Sequence, residues 1–130
     1  MSLNQELSPY ERIGGDKAVR QLVFRFYELM DSQSETQHIR AMHPDDLSLS
    51  GDKLYKYLSG WLGGPQLYVE EYGHPQLRAR HLPFQISQAE SDAWMLCMNT
   101  ALDELAHDDE LLISHLRQSL RQLATHMHNQ

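Results

Sequence analysis

Apolar side chains recur along this chain with the spacing of an α-helix. In residues 16–30 they are three and four positions apart, which places them on one face of a helix. This first stripe consists of Val19, Leu22, Val23, Phe26, Tyr27 and Met30. The second consists of Leu54, Tyr57, Leu58 and Trp61, the third of Trp94, Cys97, Met98, Ala101, Leu102 and Leu105, and the last of Leu112, Leu116, Leu120, Leu123 and Met127. No segment alternates convincingly as a strand does, so the pattern predicts four long helices and an all-α fold.

The residues that flank the second and third stripes predict where those helices begin and end. Ser48 or Ser50 is suited to cap the second helix, and the glycines and proline of residues 63–65 end it. Ser87 followed three residues later by Glu90 has the spacing of a capping box at the start of the third. We therefore expect helix boundaries near these positions.

The polar segments between the helices predict loops with little regular structure. Residues 31–46 read as a loop with at most one short helical turn, and residues 66–73 fit either a short helix or an irregular link. Pro75 suits the first position of a helix and Pro83 disfavours helical geometry before it, so a helix of about two turns fits between them. His81 then lies at the end of that short helix.

Composition narrows the setting of this fold. A chain of 130 residues builds one core, so we expect a single domain over 1–130, with residues 1–12 as an N-terminal extension or short first helix. A net charge of −7 argues against nucleic acid or an anionic membrane surface as partner. One cysteine allows no internal disulfide, and no apolar run is long enough to span a membrane. These features predict a soluble cytoplasmic protein.

Histidines are the unusual element among the groups that carry chemistry. The chain has eight, none with the HExxH spacing of a zinc site, and its glycine pairs lack the lysine of a phosphate-binding loop. His81 differs from the others in its surroundings. Leu77 and Arg78 precede it by four and three residues and so share its face of the short helix. Phe84 and Ile86 follow after the turn and add apolar groups. An ordinary packed or surface histidine fits this pattern, and so does a haem ligand.

In the haem interpretation each group near His81 has a role. His81 ligates the iron, Leu77 and Phe84 contact the macrocycle, and Arg78 or Arg80 pairs with an anionic propionate. The backbone carbonyl of Leu77 lies one helical turn before His81 and is free near the helix end. It can therefore accept the second imidazole N–H and fix the tautomer.

A resemblance to a known family favours that interpretation. The run GGPQLYVEEYGHPQLRARHLPFQIS, followed by SDAWMLCM, resembles the group II truncated haemoglobins, the bacterial two-over-two globins. YERIGG, RFYELM, HPDD and LSGWLGGP extend the similarity over nearly the whole chain. The resemblance implies a globin-like two-over-two helical sandwich around a haem.

Carried onto this sequence, the family pattern implies roles for four residues around the iron. His81 matches the proximal ligand, Tyr27 the distal tyrosine and Trp94 the distal tryptophan of group II. His43 stands before a proline where members more usually carry phenylalanine or tyrosine, so it departs from the pattern.

The same resemblance assigns further positions around the macrocycle. Ser50 and Leu54 match a pair over the distal face, where some relatives carry a hydrogen-bonding glutamine that Leu54 cannot replace. The propionate side falls on Tyr68, Arg78 and Arg80 without a choice among them. Four stripe residues are predicted to pack in the core, with a place in the haem lining left open: Tyr57, Trp61, Cys97 and Met98.

The implied pocket predicts binding of O2, CO or NO. Bound oxygen gains negative charge, and the Tyr27 hydroxyl, the Trp94 indole and the His43 imidazole are candidate donors to it, so we expect slow oxygen release.

The alternative is a redox enzyme that removes nitric oxide, peroxide or peroxynitrite, in the manner of an NO dioxygenase or a peroxidase. Nitric oxide turnover needs a reductase partner, because no flavin or nicotinamide motif is present. Both a monomer and a dimer fit the sequence.

A third hypothesis concerns the state without external ligand. The loop over residues 31–42 looks a few residues longer than in typical relatives, and we expect this length to give either the first helix or His43 freedom to move. Tyr27 or His43 then becomes a candidate ligand of the iron itself.

Overall fold

The computed structural model of the chain describes residues 7–105 and 109–130, and those residues form helices and connecting loops without a strand. The helices are α1 (Pro9–Ile13), α2 (Gly15–Ser32), α3 (Gln37–Arg40), α4 (Ser48–Trp61), α5 (Leu67–Tyr72), α6 (Leu77–His81), α7 (Gln88–Glu104) and α8 (Glu110–His126). A 3₁₀ turn at Ser34–Thr36 precedes α3. The predicted all-α fold is confirmed. Of the predicted N-terminal extension, residues 1–6 lie outside the described part.

The four predicted long helices are α2, α4, α7 and α8, and each stripe is the inward face of one of them. Most stripe residues are buried in one core. Those that are only half-buried are Tyr27, Leu54, Tyr57, Trp61, Trp94 and Leu123. All of these except Trp61 line a single cavity. The half-buried residues of the stripes, apart from Trp61, therefore mark the part of the core that borders the cavity.

The long helices form two pairs. α2 packs against α4 in one pair and α7 packs against α8 in the other. The α2–α7 contact joins the two pairs, with the fully buried side chains of Phe26 and Met98 among the residues of the common core. This arrangement is the predicted two-over-two helical sandwich.

Capping was predicted correctly for α7 and wrongly for α4. Ser87 and Glu90 form the expected capping box, in which the Glu90 carboxylate accepts the Ser87 backbone N–H at 2.7 Å. α4 begins at Ser48 itself, and neither Ser48 nor Ser50 caps it with its side chain. Asp46, two residues earlier, accepts the Ser48 N–H at 2.8 Å instead. A carboxylate in this position also interacts favourably with the positive N-terminal end of the helix dipole.

The short elements differ from the prediction in number and in their bounds. The loop over 31–46 contains a 3₁₀ turn as well as the one-turn α3, and residues 66–73, which were ambiguous, contain α5. Pro75 is not the first residue of α6, because Gln76 adopts a left-handed conformation with φ 49° and the helix begins only at Leu77. α6 is therefore five residues long rather than two turns.

The N-terminal α1 docks on the end of α4 through a glycine. The Tyr10 N–H donates to the Leu62 carbonyl at 2.9 Å, and the Tyr10 ring lies over Gly64. A Cβ on Gly64 would lie 2.5 to 2.8 Å from three atoms of that ring. Only glycine therefore allows this close approach.

We expect Gly64→Ala to lower the free energy of unfolding by about 1–3 kcal/mol, because the ring of Tyr10 has to move away from the new methyl group. Gly51→Ala is the matched control. Its Cβ meets nothing closer than 3.8 Å, and alanine favours a helix interior by about 0.5–1 kcal/mol. Urea denaturation of both variants measures the effects, and equal stabilities would contradict the packing of Tyr10 on Gly64.

Candidate functional site

A cavity of about 570 Å³ lies between the two helix pairs and the short helices. Its lining consists of Tyr27 from α2; Ile39, Met42, His43 and Pro44; Ser50, Lys53, Leu54 and Tyr57 from α4; Tyr68 from α5; Leu77, Arg80 and His81 from α6; Phe84 and Ile86; Glu90, Ser91 and Trp94 from α7; and Leu123, Ala124 and Met127. The walls are largely apolar with a few polar groups, and the volume is typical of small-molecule sites, about 300–1,000 Å³.

Leu77, His81 and Phe84 form one part of the lining, the histidine wall. The Nδ1 atom of His81 lies 2.6 Å from the Leu77 carbonyl oxygen. Because a carbonyl only accepts, Nδ1 carries the proton and Nε2 keeps its lone pair. This hydrogen bond confirms the one predicted from the sequence. His81 thus has the tautomer and the orienting partner typical of a histidine that binds a metal.

Tyr27, His43, Ser50, Leu54 and Trp94 form a second part of the lining, the donor wall. The Tyr27 hydroxyl reaches the Ser50 carbonyl only at 3.4 Å, a weak contact. Burial raises the pKa of Tyr27, so its O–H stays protonated. Within the described part of the chain the Trp94 indole N–H forms no hydrogen bond. Both residues can therefore donate to a ligand in the cavity.

Phe26 fixes the orientation of both donor rings. Tyr27 and Trp94 each pack edge-on against its buried ring, with centroid distances of 4.9 and 5.1 Å. Phe26 has no exposed surface. The donors are therefore held by the core itself rather than by a loop.

His43 differs from the two other predicted donors. Its Nδ1 lies 2.8 Å from the Ile39 carbonyl oxygen, so Nδ1 holds the proton. Burial lowers the pKa of His43, with smaller contributions in the same direction from Arg40 and His81. The neutral ring therefore offers an acceptor, Nε2, toward which a ligand can donate. The expectation that His43 donates is not met by this tautomer.

Only one of the two arginines predicted to lie near the haem lines the cavity, and a lysine that was not predicted lines it too. Arg80 lines the cavity, and its Nε donates to the Pro75 carbonyl at 2.7 Å. Arg78 does not line it; it donates to the carbonyl of His128 and borders a neighbouring groove. Lys53 of α4 lines the cavity and was missed, although it lies one turn from Tyr57 on the same helix.

Comparison with known proteins assigns the family. The model of the bacterial-like globins matches residues 8–129. The group 2 truncated hemoglobin YjbI of Bacillus subtilis is 42% identical over 123 residues, which cover 95% of this chain and 89% of that protein. The chain belongs to the group II truncated haemoglobins.

Solved structures of other truncated haemoglobins superpose on 95–99% of this truncated haemoglobin. The group II 2-on-2 hemoglobin of Agrobacterium tumefaciens is 47% identical with a TM-score of 0.93, covering 99% of both chains. The cold-adapted truncated hemoglobin of Pseudoalteromonas haloplanktis is 44% identical with a TM-score of 0.92, covering 95% of this chain and 99% of that one. The truncated oxygen-avid haemoglobin of Bacillus subtilis is 41% identical with a TM-score of 0.85, covering 95% and 100%.

Truncated haemoglobins carry haem, and the cavity of this truncated haemoglobin fits that group. It offers apolar walls for the macrocycle, a histidine with a free Nε2 for the iron, and Lys53 and Arg80 for the propionates. Within residues 7–105 and 109–130 no cluster of three or more acidic, histidine or cysteine side chains provides a separate metal site. No helix of those residues is long and apolar enough to cross a bilayer.

The structure brings most of the sequence-predicted site residues of this truncated haemoglobin together and leaves two out. Tyr68 and Ile86 line the cavity with the histidine and donor walls, whereas Arg78 lies beside it and Met98 is fully buried in the core. Tyr57, whose role was open, also lines the cavity. Sequence reasoning missed Ile39, Met42, Pro44, Lys53, Glu90, Ser91, Leu123, Ala124 and Met127. Leu123 and Met127 were on a predicted inward stripe, which was the available signal.

The lowered pKa of His43 predicts a pH dependence of stability. In the folded chain the pKa of His43 lies below its ordinary value of 6.5, whereas in the unfolded chain it is near that value. Below pH 6.5 the unfolded chain therefore binds more protons at His43 than the folded chain does. The contribution of neutral His43 to the free energy of unfolding is complete above pH 6.5 and is lost as the pH drops below that value. We expect this fall, measured by urea denaturation of the apoprotein between pH 7 and pH 5, to be smaller in His43→Phe.

The exposed His115 of α8 provides the control for this measurement. His115→Gln is expected to keep the pH dependence of the unmodified chain. Equal slopes for His43→Phe and the unmodified chain would show that burial does not disfavour the charged His43 ring.

Proposed function

We propose that this truncated haemoglobin binds O2 reversibly, and CO and NO at the same position, with His81 as the proximal ligand and a polar distal pocket that slows oxygen release. One observation carries the proposal. The His81 ring, fixed by the Leu77 carbonyl at 2.6 Å, lines the same cavity as the two half-buried donors Tyr27 and Trp94. An imidazole with an unprotonated Nε2 and two donors that are at most weakly bonded, all in one apolar cavity, suit a site for small polar ligands.

When bound, the haem would supply an iron that can bind a histidine nitrogen and a diatomic ligand. His81 would offer its Nε2 to the iron, and the hydrogen bond from its Nδ1 to the Leu77 carbonyl holds the ring in the tautomer that leaves Nε2 unprotonated. Lys53 and Arg80 offer their charges to the carboxylates of the group. The donor wall would supply hydrogen bonds to the diatomic ligand.

The donor wall supports slow release. Each hydrogen bond to a ligand that gains negative charge contributes about 1.5–3 kcal/mol, so two donors slow its departure by roughly a hundredfold or more. Tyr27 and Trp94 are held against Phe26 before any ligand arrives, so little ordering is needed when they donate. The oxygen-avid haemoglobin of Bacillus subtilis, at 41% identity, is consistent with this expectation.

Cycles of oxygenation test reversibility directly. We expect the ferrous protein to give an oxygenated spectrum in air, and to return to the ferrous spectrum when oxygen is removed, over several cycles. Immediate conversion to the ferric form at the first exposure would contradict reversible binding.

The tautomer of His43 favours a second candidate function, the removal of peroxide. With Nδ1 tied to Ile39, the neutral ring presents Nε2 as a base that can take a proton from peroxide in the cavity. We expect any such turnover at pH 7 to exceed that of free haem and to fall in His43→Phe. Turnover no greater than that of free haem would exclude this candidate.

Nitric oxide turnover is the remaining form of the redox alternative. It requires an electron donor, and the sequence carries no flavin or nicotinamide motif, so a separate reductase is part of that proposal. The single cysteine, buried in the core, suits a reducing cytoplasm.

A further inference from the structure

The residues after α8 return to the segment that carries His81. We call residues 128–130 the C-terminal tail and residues 77–86 the His81 segment. The backbone N–H of Asn129 donates to the Ile86 carbonyl at 2.9 Å, and the N–H of Gln130 approaches the same oxygen at 3.2 Å. The tail therefore lies directly against the turn that follows α6.

The side-chain amide of Asn129 uses both of its ends in this contact. Its oxygen accepts the Ile86 N–H at 2.9 Å. Its nitrogen donates to the Phe84 carbonyl at 2.8 Å and to the His81 carbonyl at 3.3 Å. One amide thus joins three residues of the His81 segment, and one of its bonds reaches the backbone of His81 itself.

The His81 segment needs an external tie because its own structure is weak. α6 has five residues and none of them is buried. It starts after Gln76 in a left-handed conformation, and a helix this short is not stable by itself in water. Leu82 and Phe84 in the following turn are exposed by 54% and 39% of their surface. Packing alone therefore does not fix the place of the His81 backbone.

The tail is itself anchored to a rigid element. The Nε2 atom of His128 lies 2.8 Å from the hydroxyl of Ser91, a residue of α7 that is 98% buried, as its exposed fraction of 2% shows. The His128 carbonyl accepts from Arg78 at 3.2 Å. The connection therefore runs from α7 through His128 and Asn129 to both ends of the His81 segment.

We propose that Asn129 is a positioning residue for the proximal imidazole: through the carbonyls of His81 and Phe84 and the N–H of Ile86, it sets the backbone of the His81 segment and hence the direction of the His81 ring. The inference rests on the proposed role of His81 as iron ligand. Asn129 does not touch the haem cavity, so it acts on the iron only through His81.

The test uses the haem-loaded protein with Asn129→Ala and Asn129→Asp. The aspartate keeps the oxygen that accepts from Ile86, and it replaces the donating nitrogen by a carboxylate oxygen that the carbonyls of His81 and Phe84 repel. Resonance Raman spectra of the ferrous form report the iron–histidine stretching band. We expect that band to shift and broaden in both variants, and haem transfer to an acceptor apoglobin to accelerate by roughly tenfold.

Gln130→Ala is the matched control, because the contact of Gln130 is made by its backbone N–H and survives the substitution. Its band and transfer rate are expected to equal those of the unmodified chain. A purely structural role for Asn129 would lower the thermal midpoint of both variants and leave the band unchanged. That result overturns the proposal.

The failure of this inference can be separated from the failure of the proposed function. An iron–histidine band that is present in the unmodified chain, lost in His81→Gly and unchanged in both Asn129 variants overturns only the role of Asn129. A band that persists in His81→Gly overturns the assignment of His81, and with it both proposals.

Discussion

His81→Gly is expected to weaken haem binding more than about a hundredfold, because the substitution removes the iron ligand itself, whereas loss of a hydrogen-bond partner of a ligand already costs about 10- to 100-fold in metal affinity. The ferrous variant is expected to lose its iron–histidine band. Imidazole added to the solution can enter the space left by the side chain and restore a five-coordinate spectrum. Haem titration by absorbance, with and without imidazole, measures both effects.

His115→Gly is the control for this prediction. His115 lies exposed on α8, so its loss removes a histidine without touching the cavity. We expect normal haem affinity and no response to imidazole. A His81→Gly protein that binds haem as tightly as the unmodified chain would show that another residue ligates the iron.

Loss of the two distal donors is expected to have the second largest effect. Tyr27→Phe and Trp94→Phe each remove a hydrogen bond worth about 1.5–3 kcal/mol, so each variant is expected to release oxygen roughly 10- to 150-fold faster. Tyr27→Phe keeps the edge contact with Phe26 and loses only a 3.4 Å contact with Ser50. Stopped-flow measurement of oxygen dissociation gives the rates.

Carbon monoxide provides the internal control in the same variants. It gains less charge than oxygen when bound, so its dissociation is expected to change much less. A similar acceleration of both ligands would indicate a wider cavity rather than lost donors. Oxygen rates within twofold of the unmodified chain would contradict the donor role of Tyr27 and Trp94.

The parts of this protein that the sequence predicts are those that depend on local periodicity. The stripes placed four helices correctly because burial repeats every three to four residues along each of them. The hydrogen bond from His81 to the Leu77 carbonyl was predicted from the same helical spacing, because one helical turn separates the two residues. The capping box at Ser87 is likewise a local pattern.

The parts that were missed depend on residues distant in sequence or on single backbone angles. The left-handed Gln76 shortened α6, and Arg78 and Arg80 then diverged, one to the tail and one to the cavity. The tautomer of His43 depends on the Ile39 carbonyl, which lies on the one-turn α3. The contact of Asn129 with the His81 segment has no periodic signal at all.

The most direct measurement is a crystal structure of the haem-loaded protein with a diatomic ligand bound. The account predicts His81 Nε2 on the iron, its Nδ1 still on the Leu77 carbonyl, and the Tyr27 hydroxyl and Trp94 indole N–H within hydrogen-bond distance of the ligand. An iron held by any other side chain, or a ligand that neither Tyr27 nor Trp94 contacts, would contradict it.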